Sequence, residues 1–193
     1  MYLSRLTIKH NRVAAHWLAN PYHIHQRLMM GCDGDERVLF RVEEDEQGAR
    51  ILVQSRVRPD WQAAFGGLDV LAGAEWKEYE GRLVEGQAYR FRLLANPTVK
   101  RAGKRLGLLK AEEQEAWLRR KLEQGGMQLE GCLMRQGGFL RSKKEENGAE
   151  VKAVHYSVLF EGLLRVAQAA KAEETLAAGV GSGKGFGCGL LSL

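Results

Sequence analysis

The closing segment GVGSGKGFGCGLLSL sets glycine at every second position, from Gly179 through Gly181, Gly183, Gly185 and Gly187 to Gly189, with Lys184 and Phe186 between them. Alternation of this kind leaves one side of the backbone bare. It also admits the positive-φ conformations that aim successive amides at one anion, so a phosphate backbone is the first partner the segment suits. A flexible tail is the alternative. Against it, LLSL resumes an apolar strand after the glycines, and such a strand has to dock to justify its composition. Two nucleotide motifs fail on spacing. A Walker A loop needs a glycine where Ala178 stands, a hydroxyl where Gly185 follows Lys184, and room for a helix. Lys184 to Gly187 match the first half of the RNP1 pattern, but Cys188, Gly189, Leu190 and Leu191 replace its aromatic half.

The 193 residues suit one or two domains, and Lys plus Arg number 29 against 24 acids, a formal charge of +5 that favours a polyanionic partner. The distribution says more than the total. VKRAGKR, residues 99–105, carries Lys100, Arg101, Lys104 and Arg105 with no acid, and RSKK, residues 141–144, adds Arg141, Lys143 and Lys144. Cys32, Cys132 and Cys188 are odd in number and widely spaced without a CxxC pair, which argues against a disulfide framework or zinc ribbon and fits a reducing cytoplasm. The start, MYLSRLTIKH, alternates like a strand and lacks a signal-peptide core, and no run approaches the apolar length of a membrane span. A cytoplasmic chain with no membrane partner is expected.

Period-two alternation predicts strands at 2–8, 38–42, 51–57 and 89–93, the last with Tyr89, Phe91 and Leu93 opposite Arg90 and Arg92. Asn20 and Pro21 stand where an N-cap and first helical residue belong, ahead of Tyr22, Ile24, His25, Leu28 and Met29. A weak helical pattern runs over 60–72 through Trp61, Phe65, Leu68 and Leu71, interrupted by Gly66 and Gly67. A clear helix covers 112–124, acids first and cations last, with Trp117, Leu118 and Leu122 as its core stripe and Gly125 and Gly126 ending it. Strands follow near 127–134, 139–141 and 151–161, then a helix near 167–177 and the terminal LLSL. Each half therefore reads strand, helix, strands, helix, strand. The tetrapeptide LANP occurs at 18–21 and again at 94–97. The expected fold is α+β: two tandem ferredoxin-like (RRM-like) domains with antiparallel sheets, residues 1–93 and 94–193.

Tyr22 and His25, three residues apart, project from one face of the predicted helix, where two proton-transfer groups can serve one reaction. The alternative is that both pack the inner face. His23 and His25 diverge on a helix and make a poor metal pair. Asp33, Asp35, Asp60 and Asp69 are scattered near turns and helix starts, positions that suit capping rather than two-metal chemistry. Ser182 and Ser192 lack the elbow of a serine hydrolase. Histidine, tyrosine and many cations remain. RNA supplies its own nucleophile in the ribose 2′-OH, so cleavage needs only deprotonation, in-line geometry and neutralisation of developing charge, with no metal or cofactor.

LANPYHIHQRL, RFRLLANPTVKRAGKR, VLFEGLLRV and GVGSGKGFGCGLLSL, with MYLSRLTI at the start and EAWLRRKLE between, occur in an order and spacing that resemble the CasE family of CRISPR RNA-processing endoribonucleases from type I-E Cascade complexes. The resemblance implies two ferredoxin-like domains and metal-independent cleavage at the 3′ base of a repeat hairpin. It further implies a 2′,3′-cyclic phosphate upstream, a 5′-OH downstream and retention of the crRNA product beside other Cascade subunits. By position it assigns the catalytic histidine to His25 and the helix tyrosine to Tyr22. Some members carry arginine directly after the histidine; here that place is Gln26 and the arginine is Arg27, about 100° further round the helix. FLRSKKEENGAEVK resembles the family's basic hairpin, making Lys143 a candidate catalytic cation and Arg141 and Lys144 RNA contacts. Lys100, Arg101, Lys104, Arg105 and Lys184 complete the expected RNA-binding set, with the repeat hairpin of pre-crRNA and crRNA as partner. The rival reading is a non-catalytic hairpin-binding subunit in which His25 only packs.

Overall fold

Strand β1 (Tyr2–Ile8) alternates as its sequence does, with Ser4, Leu6 and Ile8 buried and Arg5 and Thr7 facing solvent. The computed structural model describes residues 1–33, 37–46, 48–146 and 149–193, with the side chains of 141–146 and 149–154 outside the description. After β1 come α1 (Arg12–Leu18), α2 (Pro21–Met30), β2 (Leu39–Asp45), β3 (Gly48–Ser55), α3 (Trp61–Phe65) and β4 (Leu71–Glu78). Their sheet runs β2-β3-β1-β4, and β1 is antiparallel to both β3 and β4. This is the split β-α-β arrangement of a ferredoxin-like unit, in which the outer strands are added after the helices.

Helix α2 begins where its sequence predicts. Asn20 Oδ1 accepts from Tyr22 N at 3.1 Å, and Pro21 occupies the first turn. The helix buries Ile24 and Leu28 among Leu6, Phe40, Ile51 and Trp61, each such side chain contributing about 1.5–3 kcal/mol by leaving water. It ends at Gly31, where a Cβ would lie 2.8 Å from the Trp61 ring. Two features of this unit differ from the sequence reading. Helix α3, capped by Asp60 Oδ1 on Ala63 N at 2.8 Å, stops at Phe65, so Leu71 starts a strand instead of ending a helix. That strand, β4, lies on the sheet edge with nearly every residue exposed, so it shows no alternation to read. Helix α1 also escaped prediction, although Asn11 caps it by accepting from Ala14 N at 2.7 Å.

The second sheet runs β10-β5-β9-β8, the same order of addition. Its elements are β5 (Ala88–Ala95), a ribbon of β6 (Thr98–Arg101) and β7 (Lys104–Gly107), α4 (Ala111–Gln124), β8 (Met127–Glu146), β9 (Ala149–Val166), α5 (Ala169–Ala178) and β10 (Leu191–Ser192). Strand β5 pairs with β9 from Ala88↔Arg165 to Ala95↔Val158 and buries Phe91, Leu93 and Ala95. Trp117, Leu118 and Leu122 of α4 pack with Phe160, Leu164 and Leu176 in its core. The terminal strand docks on β5, with Leu191 opposite Leu93. The chain divides into one unit of 1–80, 141–154 and 185–187 and another of 81–140, 155–184 and 188–193, so the strand holding 89–93 belongs to the second unit and not to the first. The expected breaks at 134–139 are absent because Gly137 and Gly138 form an irregularity inside β8. A Cβ on Gly137 would meet Ser157 Oγ at 2.6 Å, and that hydroxyl donates to Gly138 O at 3.1 Å.

Candidate active site and cationic cavity

His25 lies midway along α2, half-buried, with its ring stacked on Phe40 of β2 at a centroid distance of 6.1 Å and an interplanar angle of 14°. The glycine segment supplies the other wall. A Cβ on Gly185 would stand 3.3 Å from His25 Cδ2 and 3.7 Å from Nε2. Nδ1 is buried and has no hydrogen-bond partner among the described residues. Burial pushes the imidazole pKa down from its ordinary value, because the charged form loses solvation. Such an orphaned polar atom costs about 1–3 kcal/mol and calls for an explanation beyond packing.

Tyr22, also half-buried, sits one turn earlier on α2, while His23 is exposed and does not share the position of His25. Arg27 is turned to a structural task, donating from Nη1 to Ala64 O at 3.3 Å and to Met30 Sδ at 3.8 Å. Gln26 is exposed. Asp60 caps α3 and Asp69 accepts from Lys9 and Asn11, as their turn positions suggest; Asp35 is outside the described residues. The side chains of Arg141, Lys143 and Lys144 are outside the description as well.

In the second unit, Lys100, Arg105 and Lys184 come together around a cavity of about 830 Å³, joined by Arg120 and Lys121 of α4. Arg101 and Lys104 lie beside it at the ribbon turn, outside the lining. That turn uses positive φ at Ala102 (47°) and Gly103 (78°), matching a tight two-residue hairpin. Lys184 Nζ donates to Ala178 O at 2.6 Å, closing the carbonyl end of α5 with a positive charge. Ser182 pairs with Asn96 by a β-bridge, its hydroxyl 3.3 Å from Thr98 Oγ1. Asn96 Nδ2 lies 2.8 Å from His155 Nδ1, and burial together with the nearby Arg105 charge lowers the pKa of that imidazole. Arg120 and Lys121 read in sequence only as helix-dipole cations. Their signal was that Ala116 and Trp117 occupy the positions one turn earlier where Arg119 has Glu115.

Tandem ferredoxin-like units, one presenting a half-buried imidazole against a glycine segment and the other a cavity walled by cations, define a class of protein built to engage a polyanion. Comparison with known proteins narrows the class. The family described as CRISPR associated protein matches residues 1–193. CRISPR-associated endoribonuclease Cse3 of Thermus thermophilus is 37% identical over 100% of this chain and 99% of its own length. CRISPR system Cascade subunit CasE of Escherichia coli is 31% identical over 100% and 98%. A solved structure of CRISPR endoribonuclease Cse3 bound to a 19-nucleotide RNA superposes with a TM-score of 0.88 at 36% identity, covering 100% of this chain and 99% of that one. The chain belongs to the CasE family of CRISPR-associated endoribonucleases. Among the described residues, no helix is long and apolar enough to cross a membrane.

Proposed function

We propose that this protein cleaves CRISPR precursor RNA at the 3′ base of the repeat hairpin without a metal ion, and keeps the crRNA within a cytoplasmic Cascade assembly. The ribose 2′-OH attacks the adjacent phosphorus in line. The 2′-O–P bond forms as the P–O5′ bond breaks, leaving a 2′,3′-cyclic phosphate and a 5′-OH. The 2′-OH proton passes to a base and the departing 5′-oxygen takes one from an acid. His25 fills one of those roles, with Tyr22 orienting the ribose or sharing the transfer, and Lys143 opposing the charge on the phosphorane. The observation that carries the reading is the His25 ring, held between Phe40 and Gly185 with a buried Nδ1 lacking a partner among the described residues. Packing alone would favour an apolar residue there.

The test is single-turnover cleavage of repeat RNA in the presence of EDTA. His25→Ala is expected to slow the reaction by about 10²- to 10⁴-fold, the usual worth of a positioned acid or base, while the hairpin still binds. Undiminished cleavage by the variant would remove His25 from the chemistry. RNA carrying 2′-deoxyribose at the cleavage site should bind uncut; its cleavage would mean a different nucleophile.

A further inference from the structure

We infer that Phe40 is a positioning residue for the cleavage step, its ring and the glycine segment orienting the His25 imidazole where no hydrogen bond does. This role rests on the reading of His25 as the acid or base of an endoribonuclease, and it makes the rate depend on a core residue that never meets the RNA.

An imidazole that transfers protons has to be held. The last torsion of a histidine side chain is broad and roughly two-fold, so helix α2 fixes where the ring lies but not which nitrogen faces the substrate. In a catalytic histidine the second ring nitrogen commonly bonds a carboxylate or carbonyl, and that third group sets the tautomer and the plane. His25 has no such group among the described residues. Its Nδ1 is buried without a partner there, and burial rather than a neighbouring charge lowers its pKa. Orientation must therefore come from packing.

Two surfaces supply it. Phe40 lies nearly parallel to the imidazole, at 14° and a centroid distance of 6.1 Å, within the range of an offset stack. That ring is itself fixed, because Phe40 is fully buried in the core of the first unit and β2 sets it opposite Val53 of β3. The glycine segment meets both rings. A Cβ on Gly187 would stand 3.2 Å from Phe40 Cε2 and 3.5 Å from Cδ2, and one on Gly185 would stand 3.3 Å from His25 Cδ2. Alternate glycines thus clear alternate rings. Cys188 N donates to Gly183 O at 3.3 Å, closing the turn that carries them. Turning the imidazole over would sweep its edge through space that Phe40 and Gly185 fill, so Nδ1 stays inside and Nε2 is left for the proton transfer. An aliphatic side chain at position 40 would fill volume but offer no plane to lie along.

The experiment measures single-turnover cleavage at saturating repeat RNA, well below the melting temperatures, for wild-type protein, Phe40→Leu, Phe40→Tyr, His25→Ala and Phe40→Leu/His25→Ala. Ile51→Ala, in the same core, gauges the effect of lost packing alone. Misplacing a reacting group by 1 Å costs on the order of 10²-fold, so Phe40→Leu should lose about 10- to 100-fold in rate while its RNA affinity stays within about two-fold. Phe40→Tyr keeps the plane and should recover most of the rate. Because Phe40 acts through His25, adding Phe40→Leu to His25→Ala should cost less than about two-fold more. A wild-type rate in folded Phe40→Leu, a loss no larger than that of Ile51→Ala, or a full multiplicative loss in the double variant overturns the positioning role and leaves His25 in place. Should Phe40→Leu fail to fold, nuclear magnetic resonance of the wild-type protein decides. The His25 ring should show Overhauser contacts to the Phe40 ring and be as rigid as the α2 backbone on the picosecond-to-nanosecond scale, unlike the exposed His16 and His23. A His25 ring as mobile as theirs overturns the inference. Undiminished cleavage by His25→Ala would instead overturn the catalytic assignment beneath it.

Discussion

Gly185→Ala isolates the imidazole from the rest of the fold. Gly185 is absent from the positive-φ glycines, so alanine meets no backbone penalty there. The added methyl would lie 3.3 Å from His25 Cδ2, 3.7 Å from Nε2 and 3.8 Å from Cγ. Carbon pairs prefer about 3.5–4.0 Å, so the ring must move by about 0.2–0.7 Å to regain contact distance. Misplacement of a reacting group by 1 Å costs on the order of 10²-fold, and scaling that logarithmically gives about a 3- to 25-fold loss of rate. Stability should hardly change, because a compatible glycine-to-alanine exchange contributes about 0.4–1 kcal/mol through the unfolded state, which offsets the crowding. Single-turnover cleavage beside a thermal melt is therefore the assay. Wild-type rate with wild-type melting would refute the argument that His25 works in the geometry set by this loop. Gly187→Ala provides the contrast. Its φ of 82° and a Cβ distance of 3.2 Å to Phe40 Cε2 predict a lower melting temperature as well as a slower reaction.

Gly181→Ala adds a left-handed residue and a methyl 2.9 Å from Trp117, so a loss of about 2–5 kcal/mol is expected in urea melts. If His25 is the general base, the rate should rise with pH through a midpoint below about 6.5 and be flat at neutrality, since burial lowers its pKa. A falling limb in the same region would make it the acid. The same burial, with that of His155, makes the unfolded state the stronger proton binder; stability should fall as pH drops below about 6.5 toward the lowered native values, and denaturant midpoints across pH 5–7 check the sign. Arg27→Ala removes the bond to Ala64 O and should cost about 1 kcal/mol in a denaturant titration.

Most of the architecture is legible because half-buried central strands carry their own period. β1 and β5 bury alternate residues in the pattern that their sequences show, and α2 and α4 start or stop at Asn20, Pro21, Gly125 and Gly126 as composition suggests. What escaped has physical causes. An edge strand such as β4 owes its pairing to its neighbour and so needs no apolar alternation. Gly137 and Gly138 read as a chain break, yet they serve a close contact with Ser157 inside one long strand. The repeated LANP illustrates the limit of short identities: Asn20 caps a helix, whereas Asn96 is buried beside His155 and bridges to Ser182.

The site divides in the same way. His25 and Tyr22 follow from helical spacing, a local property, but the pairing state of each cation follows from register, which is not local. Arg119–Glu115 can be anticipated at i,i+4; Arg92–Glu161 and Arg165–Glu130 need the strand alignment. A net charge of +5 averaged over the whole chain therefore understates the field at the cavity, whose lining holds Lys100, Arg105, Arg120, Lys121 and Lys184, because the acids that reduce the total lie elsewhere, several of them paired with Arg5, Lys9, Arg92, Arg119 or Arg165. The affinity of this protein for RNA should therefore track where its unmatched cations lie rather than their total, so a surface lysine added beside an existing acid should steepen its salt dependence less than one added at the rim of the cavity.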